Sequence, residues 1–546
     1  MRDGNRVLVE VRFDGGAATG AADLRQAGAQ VVNVSPEYQT VTVAAKPDEL
    51  RALNGVPGVA GAREVLKPIT YSTCPSGEVV SEGVQQLHAG DATGEARQAF
   101  GVDGSGVTVG VLSDSYNRAT EAADESGPVA TKAPKDVENG DLPGVTNTCL
   151  GETTAVNALD DSDTEGEDEG RAMSQIVHDV APGANLAFAT AFSGETAFAQ
   201  NIERLARPVS EGGAGAKVIV DDVSYFDEPF FQEGPVAVAV SKVTEQGVAY
   251  FSSAGNNNLV NGGQDIASWE APQFRDAGSC PSGLTTFEAA EEIFLNASHC
   301  MDFDPSSGID TTFGITVGAG QTLTADLQWA EAWEAVNADL DVFLLGPEGS
   351  VVAAGGEDNP ATGRPVEVLG WENESGSAAT VQLVINRFGG GLPRLKVALL
   401  ENGGGVSSTE YEASAGGDVV GPTIFGHNGA EDANSVGAIR YSAAAAPESY
   451  SSRGPVTHYF GPVNGAAAAA PLETPAVLSK PDLTATDCGV TTFFASKSGE
   501  KWRFCGTSAA APHAAGVAAL MLQRDPAATP SQIRSALVES ANAIGG

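Results

Sequence analysis

The chain of 546 residues carries 71 acidic and 30 basic side chains, which gives a formal net charge of −41 at pH 7. Such an acidic surface repels phosphate backbones, so the composition argues against nucleic acid as a partner. No apolar run approaches the ~18 residues of a membrane-spanning helix, and 42% hydrophobic residues suffice for the cores of several domains.

The first 70 residues predict a small α+β domain. Residues 6–13 alternate between apolar and polar side chains like a half-buried strand, and a helix follows around residues 22–29. Two more strands, a second helix opening at Pro47 and a last strand complete the order β-α-β-β-α-β. This order is typical of the ferredoxin-like split unit, which brings no chemistry of its own.

Residues 75–280 predict the first part of an α/β domain. Short buried strands, such as VTVGVL at 107–112 and VAYFSS at 248–253, alternate with helical stretches, which indicates a doubly wound parallel sheet. Between 281 and 405 the pattern changes to alternating strands separated by turn residues, which is typical of an antiparallel β-sandwich. Because the α/β pattern returns over 410–546, the sandwich is predicted to be an insertion.

The cysteines are dispersed, and none lies in a Cys-x-x-Cys pair or at zinc-site spacing. An even number of such cysteines in an acidic chain favours disulfides and an oxidising compartment, so we expect a secreted or cell-surface protein. Other pairings stay open, but the expected pairs are Cys280–Cys300, Cys488–Cys505 and Cys74–Cys149.

The segment GTSAAAPH at 506–513 is the most specific motif. Small residues allow a tight turn that presents the Ser508 hydroxyl at the start of a helix, and Pro512 falls in its first turn. Free N–H groups and the helix dipole favour negative charge beside Ser508, as an acyl-transfer oxyanion requires. Two other polar residues follow predicted strands: Asp114 after residues 107–112 and Asn256 after residues 248–253.

Four motifs then stand in a recognisable order: GVLSDS at Asp114, SSAGN at Asn256, SSRGP at 451–455 and GTSAAAPH at Ser508. With these the chain resembles the subtilisin–kexin–sedolisin clan of serine peptidases over roughly 100–275 and 415–546. The resemblance implies a subtilisin-like fold, Asp114 as the orienting acid, Asn256 as oxyanion donor and Ser508 as nucleophile. Residues 1–70 resemble the clan's inhibitory propeptide, and residues 281–405 resemble the β-sandwich modules of secreted peptidases.

The expected catalytic histidine is missing from its motif. The matching stretch is DEGRAMSQIVH at 168–178, where Gly170 corresponds to the glycine after the clan's histidine, so Glu169 occupies the base position. His178 lies nine residues further on, about 13–14 Å along a helix axis. We therefore expect an Asp114–Glu169–Ser508 triad similar to that of sedolisins, with Asn256 retained where those enzymes use an aspartate.

Two alternatives stay open: His178 serves as the base under a different alignment, or neither residue does and Glu169 is part of a solvated acidic loop. The other histidines have weaker claims. His513 is expected to pack within the helix of Ser508, and the remaining ones lie near the start of the α/β domain or in loop-like segments, at His88, His299, His427 and His458.

A carboxylate base predicts activity shifted towards acid, because an isolated glutamate titrates near ~4.3. If Asp114 lies within hydrogen-bonding reach of Glu169, the two carboxyls would share a proton and titrate as a coupled pair.

Secondary candidates are less specific. Ser224 and Tyr225, with Gly255 of the Asn256 motif, are expected near the substrate cleft because of the resemblance. The acidic run at 160–169 is a candidate structural Ca²⁺ site, although it lacks the spacing of a calcium loop and a solvated loop is the simpler interpretation. For Asp339 and Asp341, likewise, acids on an exposed strand face are a simpler interpretation than metal ligands.

The favoured function is a secreted serine endopeptidase that acts on polypeptides through a Ser508 acyl-enzyme, with no organic cofactor and with residues 1–70 as an intramolecular inhibitor. The rival hypothesis is an inactive scaffold that lacks its histidine and binds partners through the sandwich. The sequence ends at Gly546 soon after a predicted helix, so we expect that further core elements of the domain follow in related chains.

Overall fold

The computed structural model describes residues 2–3, 6–47, 49–53, 55–65, 79–83, 97, 100–147, 153–291, 295–400, 405–443 and 445–544. The chain divides into two compact units, Met1–Thr73 and Cys74–Gly546. None of the helices in the described ranges is long and apolar enough to cross a membrane.

The first unit is an antiparallel sheet with two helices. Its elements are β1 (Arg2–Asp3), β2 (Arg6–Phe13), α1 (Ala17–Gln26), β3 (Gln30–Ser35), β4 (Thr40–Ala45), α2 (Leu50–Leu53) and β5 (Val59–Glu64). The four longer strands lie in the order β5-β2-β4-β3 with antiparallel neighbours, which is the strand order of a split βαβ unit. Val9, Val11, Val41 and Val43 alternate along β2 and β4 and bury one face of the sheet under Leu24 of α1.

The second unit begins with alternating strands and helices. These are β6 (Thr108–Ser113), α3 (Ala133–Asn139), β7 (Asn157–Asp160), α4 (Glu169–Val180), β8 (Asn185–Thr190), α5 (Glu195–Ala206), β9 (Val218–Asp221), α6 (Pro235–Glu245), β10 (Ala249–Ser253), β11 (Val260–Asn261) and β12 (Gln264–Asp265). A 3₁₀ turn over Val209–Glu211 joins α5 to β9.

Antiparallel strands follow. They are β13 (Ser268–Ala271), β14 (Phe313–Val317), β15 (Thr322–Trp329), β16 (Asp339–Leu345), β17 (Val351–Gly355), β18 (Val366–Glu372), β19 (Ala379–Gly389), β20 (Leu395–Leu400), β21 (Val406–Thr409) and β22 (Val419–Val420), with helices α7 (Ser282–Glu291) and α8 (Asn359–Thr362). Two five-stranded sheets, β18-β15-β20-β13-β22 and β17-β16-β19-β14-β21, pack face to face around Trp269 and Trp329. The sandwich therefore extends beyond the predicted limits of 281 and 405 and includes β13, β21 and β22.

The α/β pattern then resumes. A 3₁₀ turn over Gly426–Gly429 precedes β23 (Asn434–Arg440), β24 (Val456–Phe460), β25 (Pro471–Leu478), β26 (Leu483–Asp487), β27 (Gly489–Thr491), β28 (Ser496–Ser498), β29 (Lys501–Phe504), α9 (Thr507–Arg524) and α10 (Pro530–Ser540). Thr529 and Gln532 form a capping box at the start of α10.

The main sheet of the second unit has seven strands in the order β26-β23-β10-β9-β6-β8-β7, and all its neighbouring strands are parallel. One face packs on α4 and α9, where Met173, Ile176 and Ala515 are fully buried. The other face packs on α5 and α6 through Phe198 and Val240. This doubly wound arrangement was predicted, and it places β6, β9 and β10 side by side near the centre of the sheet.

Two disulfides are present among the described residues, Cys280–Cys300 and Cys488–Cys505, as predicted. The expected pair Cys74–Cys149 lies outside the described residues. Cys488–Cys505 joins residues 17 apart in the sequence and closes the segment that leads into α9.

Replacing Cys488 and Cys505 with serine is expected to lower the free energy of unfolding by about 3 kcal/mol, because the unfolded chain regains the entropy of a short closed loop. Denaturant titration followed by fluorescence measures this change as a lower midpoint. Wild-type protein in the presence of a reductant is the control and should approach the variant. An unchanged midpoint would show that this bridge contributes little to stability.

Candidate active site

Three neighbouring strands bring polar side chains to one edge of the parallel sheet. Asp114 directly follows β6, Asp222 directly follows β9, and Asn256 lies three residues past β10. Because β6, β9 and β10 are adjacent and parallel, their carboxyl ends lie together, where ligands bind in sheets of this kind. Asp114, Asp222 and Asn256 therefore lie together at the carboxyl ends of the central strands.

Ser508 is the second residue of α9 and its side chain is 8% exposed. The turn before it requires glycine, because Gly506 has φ +117° and a Cβ there would lie 3.0 Å from Asn256 Nδ2. The Gly506 N–H donates to Asp487 Oδ1 at 2.8 Å, which ties the turn to the end of β26. Ser508 is thus held at a helix N-terminus beside the strand-end residues.

Glu169 begins α4, and its carboxyl lies beside the Ser508 side chain, although the two do not form a hydrogen bond of ordinary geometry. The residue after it must be glycine, because a Cβ on Gly170 would lie 2.3 Å from the ring of Phe188 and 2.9 Å from the carbonyl oxygen of Ser115. This lets the helix start approach the sheet closely. A carboxylate, rather than an imidazole, contacts the hydroxyl of Ser508.

The same Glu169 carboxyl lies beside the carboxyl of Asp222. Both oxygens of Asp222 are shielded from solvent. In the described part of the chain, no donor meets them at ordinary hydrogen-bond geometry. The Ser113 hydroxyl lies near this carboxyl. Two carboxyls in contact cannot both be ionised at low cost, so the pair holds a shared proton.

Burial is the main cause that raises the pKa of Glu169, to about 7, and the negative charge of Asp114 adds to it. The Glu169 side chain keeps part of its solvent-accessible area, but protein surrounds the carboxyl closely enough for desolvation to dominate. Burial, with the neighbouring charge of Glu169, also raises the pKa of Asp222 well above the ordinary value for aspartate. Both shifts favour a protonated pair in acid.

Asp114 is in the predicted position but makes different contacts from those expected. Its oxygens accept the backbone N–H groups of Ser115, of Glu167 at 2.5 Å and of Gly170 at 3.3 Å, so it fastens the start of α4 to β6. Burial raises its pKa to about 6. It acts on Glu169 through its charge, and Asp222 rather than Asp114 lies beside the Glu169 carboxyl.

A buried ion cluster supports the residue before the base. The Arg171 side chain is fully buried and pairs with Asp136 and, at 2.8 Å, with Asp168. Asp168 in turn accepts the hydroxyl of Ser115 at 3.0 Å and the N–H of Ala119 at 3.0 Å. These bonds fix the loop after β6 against the start of α4, and thereby the orientation of the Glu169 backbone.

Asn256 is exposed and connected to the turn before Ser508. Its Oδ1 accepts both the N–H and the hydroxyl of Thr507 at 2.9 Å, which leaves the Nδ2 group able to donate elsewhere. Within the described residues no acceptor engages the Ser508 N–H. A Cβ on Gly506 would lie 3.0 Å from Asn256 Nδ2 and 3.6 Å from Ser508 N, so these two donors lie close to the same turn.

The residues expected at the substrate cleft follow the same sheet edge. The hydroxyl of Ser224, which is exposed, donates to Asn428 at 2.9 Å, and Tyr225 Oη donates to the Ala191 carbonyl at 2.6 Å. The carbonyl of Gly255 accepts the Ser452 N–H at 2.9 Å, and its N–H donates to the Thr507 hydroxyl at 3.1 Å. Tyr225 and Gly255 thus have structural hydrogen bonds of their own.

None of the described histidines contacts the Ser508 hydroxyl. His178 is fully buried next to Asn147, and burial lowers its pKa to about 3. His513 is also buried, with Nδ1 against the Ala509 carbonyl and Nε2 against Ser81. His299 pairs with Asp276, and burial lowers the pKa of His458 to about 4. His88 lies outside the described residues.

His427 differs from its predicted loop-like setting, because it is fully buried between two carboxylates. Nδ1 lies 2.8 Å from Glu228 and Nε2 lies 3.0 Å from Asp221. Burial opposes its protonation, but these two negative charges outweigh burial and raise its pKa to about 10. Since side chains alternate along a strand, Asp221 and Asp222 point to opposite faces of the sheet, and only Asp222 meets Glu169.

Protein groups already engage several acids of the run at 160–169. Asp160 accepts the amide of Asn201 at 3.1 Å, and Asp161 accepts the Tyr116 N–H at 2.9 Å. Within the described residues, the one cluster of three potential metal ligands is Asp487 with Cys488 and Cys505, and these two cysteines form a disulfide.

The interpretation of Asp339 and Asp341 as acids on an exposed strand face was wrong for Asp341. Asp341 is 7% exposed, because the second face of β16 is covered through Phe343 and Leu345. Asp339 is half-buried, and its Oδ1 has no hydrogen-bond partner among the described residues.

Residues 310–546 match the model of the subtilase family, Peptidase S8. The matched range contains Ser508 but not Asp114, Glu169, Asp222 or Asn256. A search of curated proteins finds no match. This part of the chain is similar to the subtilase family, and the protein is a serine peptidase.

Several solved structures resemble the chain at low identity. The CspB protease of Clostridium perfringens is 11% identical with a TM-score of 0.43, and the alignment covers 84% of this chain and 92% of that one. Fervidolysin from Fervidobacterium pennivorans, a keratinolytic enzyme related to subtilisin, is 14% identical with a TM-score of 0.29, over 99% and 58%. The epidermin leader peptide processing serine protease of Staphylococcus aureus is 10% identical with a TM-score of 0.30, over 98% and 92%.

Proposed function

We propose that this protein hydrolyses peptide bonds as an endopeptidase through an acyl-enzyme on Ser508, with Glu169 as general base and Asp222 as its positioning residue. The observation that carries the proposal is the position of the Glu169 carboxyl, which lies beside the Ser508 side chain on one side and beside Asp222 on the other. A base must reach the proton that it removes, and Glu169 does so.

In the acylation step, ionised Glu169 takes the Ser508 hydroxyl proton while Oγ attacks the carbonyl carbon of the scissile bond. Negative charge then develops on the carbonyl oxygen, within reach of the Asn256 amide and the Ser508 N–H. When the tetrahedral intermediate collapses, Glu169 returns the proton to the leaving amine and the C–N bond breaks. Asp222 keeps its own proton and donates to Glu169 throughout.

In the deacylation step, the same groups act on water. Glu169 removes a proton from the attacking water, the oxyanion donors stabilise the second tetrahedral intermediate, and the proton passes to Ser508 Oγ as the acid product leaves. Every proton and electron pair is accounted for by side chains of this chain, so the proposed chemistry needs no organic cofactor.

We expect Asn256→Asp to lower kcat by about 10²-fold with little change in KM. Aspartate keeps an oxygen that accepts the Thr507 N–H and hydroxyl but can no longer donate to an oxyanion, so it isolates the donor function. Asn256→Ala removes both functions and should be at least as slow. Steady-state kinetics on a chromogenic peptide measure the effect, and wild-type kcat in Asn256→Asp would exclude this donor.

The pH dependence follows from the raised pKa of Glu169. Because the folded-state pKa is about 7, the carboxylate form is lost as the pH falls through that value. We therefore expect kcat/KM to rise with pH through an apparent pKa near 7, above the range of an isolated glutamate at ~4.3. The acid-shifted optimum expected from the sequence thus moves towards neutral pH, and a pH–rate profile with its acidic limb below pH 5 would contradict this.

Fluorophosphonate labelling across pH 3–9 tests the function directly. We expect covalent labelling of wild-type protein that increases towards neutral pH and is absent in Ser508→Ala, with mass spectrometry locating the adduct. No labelling at any pH in protein freed of its first 73 residues would support the rival hypothesis of an inactive scaffold.

The remaining expectations concern the location of the protein and the inhibition of its activity by the first unit. Export to a secreted or cell-surface location is supported by the two disulfides. The strand order of the first unit supports its assignment as an intramolecular propeptide inhibitor. A slower peptidase activity of the full chain than of the released second unit would test that assignment.

A further inference from the structure

A cavity of about 620 Å³ lies between the inserted sandwich and the segment that follows Asp222. Tyr225, Phe226 and Asp227 form one wall, and residues 354–357, 364 and 366–368 of the sandwich form the other. Tyr225 is three residues from Asp222, so its Cα lies at most about 11 Å from that of Asp222. The cavity therefore lies along the segment that leads away from Asp222.

The sandwich holds this wall directly. Gln328 of β15 is buried, and its Nε2 donates to the carbonyls of Phe226 at 3.1 Å and Glu228 at 3.0 Å, while its Oε1 accepts the Phe230 N–H at 3.0 Å. Phe226 also packs against the cluster formed by Phe230, Phe231, Ala398, Leu400 and Phe425. The insertion thus forms part of the same surface as the cleft.

The charges that line the cavity are mostly negative. Asp227, Glu357 and Glu367 all line it. Arg364, its one cationic lining residue among those described, already pairs with Glu334 at 2.7 Å and lies 3.9 Å from the ring centre of Trp333. The lining thus carries three carboxyl groups against one cation, and burial raises the pKa of one of them, Glu367, to about 7.

A largely buried carboxyl lies behind the same wall. Asp341 is 7% exposed, and its Oδ1 lies 3.0 Å from where a Cβ on Gly356 would stand. Burial is the main cause that raises the pKa of Asp341, to about 7, and the charges of Asp339 and Glu367 add to it. A cation in the cavity would lower the cost of ionising these neighbouring carboxyls.

We propose that this cavity is a specificity pocket that binds the side chain of one lysine or arginine of a polypeptide substrate. The apolar faces of Tyr225, Phe226, Val366 and Val368 suit the methylene stem of such a side chain, and the carboxylates suit its charged end. The inserted sandwich thereby selects substrates for the adjacent site. This inference rests on the proposed peptidase function.

The test uses peptides of fixed length in which one Arg, Lys or Gln is moved through the positions on both sides of the cleaved bond. At one position we expect wild-type kcat/KM to favour Arg or Lys over Gln by about 10- to 100-fold. In Glu357→Gln/Glu367→Gln the preference for Arg or Lys over Gln should fall below about 3-fold. Glutamine at 367 keeps the acceptor used by the Glu357 N–H and Asn359, so folding is preserved.

Glu372→Gln is the matched control, because this exposed residue lies on β18 with Glu367 but does not line the cavity. It should keep the full preference. A preference that is absent at every position, or that survives the double substitution, overturns the pocket. A Ca²⁺-induced rise in unfolding temperature that the double variant abolishes, without any basic preference, assigns the carboxylates to a divalent cation and also overturns it.

Fluorophosphonate labelling separates failure of the pocket from failure of the function. If Ser508 is labelled but no preference for Arg or Lys is found, the proposed pocket is wrong and the proposed peptidase function stands. If Ser508 is not labelled, calorimetric titration with the Arg peptide decides: binding that weakens at least tenfold in the double variant supports the pocket, and equal or absent binding overturns it.

Discussion

Glu169→Gln is expected to lower kcat/KM by about 10³- to 10⁴-fold while the protein stays folded. Glutamine has the same shape and can still hydrogen-bond to Ser508 and Asp222, but it cannot take a proton from the hydroxyl. Single-turnover hydrolysis of an activated ester and of a peptide would show the loss in both substrates. Far-UV circular dichroism and the unfolding midpoint should match those of wild type.

His178→Ala is the matched comparison for this experiment. Its ring is fully buried beside Asn147 and one nitrogen has no partner among the described residues, so removal leaves a cavity and lowers stability without touching the nucleophile. We expect kcat/KM within about 3-fold of wild type below the unfolding temperature. The reverse pattern, with activity kept in Glu169→Gln and lost in His178→Ala, would falsify the carboxylate base.

The part of the site that could be predicted from sequence consists of residues fixed by local geometry. Ser508 depends on a turn and helix start that need small residues, and the GTSAAAPH pattern displays these needs directly. Asp114 and Asn256 follow buried strands, whose ends are visible as changes from apolar to polar side chains. Glu169 was proposed because Gly170 matches the glycine after the clan's histidine, and in the structure a Cβ on Gly170 would meet the ring of Phe188.

Asp222 was missed, although a signal for it was present. It follows the buried strand β9 in the way that Asp114 follows β6, within the pair Asp221-Asp222. Which of two adjacent acids faces the site depends on the phase of the strand, and which strands are neighbours depends on the sheet order. Neither is a local property. His427 with Asp221 and Glu228, some 200 residues apart in sequence, could not be inferred for the same reason.

The sandwich boundaries show a related limit. The helix signal disappears near 281, but β13 at Ser268–Ala271 already pairs with β20, and β22 at Val419–Val420 pairs with β13. Short strands next to an insertion resemble loops, because two to four residues are too few to display alternation. These short strands can be recognised only from their pairing with partner strands. The same is true of the contact between Gln328 and the segment after β9.

Comparing Asp222→Ala with Asp222→Asn separates the role of the Asp222 proton from the role of its side-chain volume. Asp222→Ala removes the donor that orients Glu169, and we expect kcat/KM to fall by about 10³-fold, with the acidic limb moved upward because the ionised base loses a hydrogen bond that lowers its pKa. Asp222→Asn keeps an N–H donor in place of the shared proton and should retain activity within about 10-fold. Its acidic limb should stay near pH 7.

The alkaline limb of the pH–rate profile distinguishes a positioning residue from one that only fills space. In wild type the second proton of the pair is lost at high pH, because Asp222 holds it with a raised pKa, and the base then faces a second negative charge. In Asp222→Asn no such proton exists, so the alkaline decline due to the pair should disappear while the acidic limb remains. If Asp222→Asn and Asp222→Ala lose activity equally and keep the wild-type profile, Asp222 only packs the site and the shared proton has no part in the reaction.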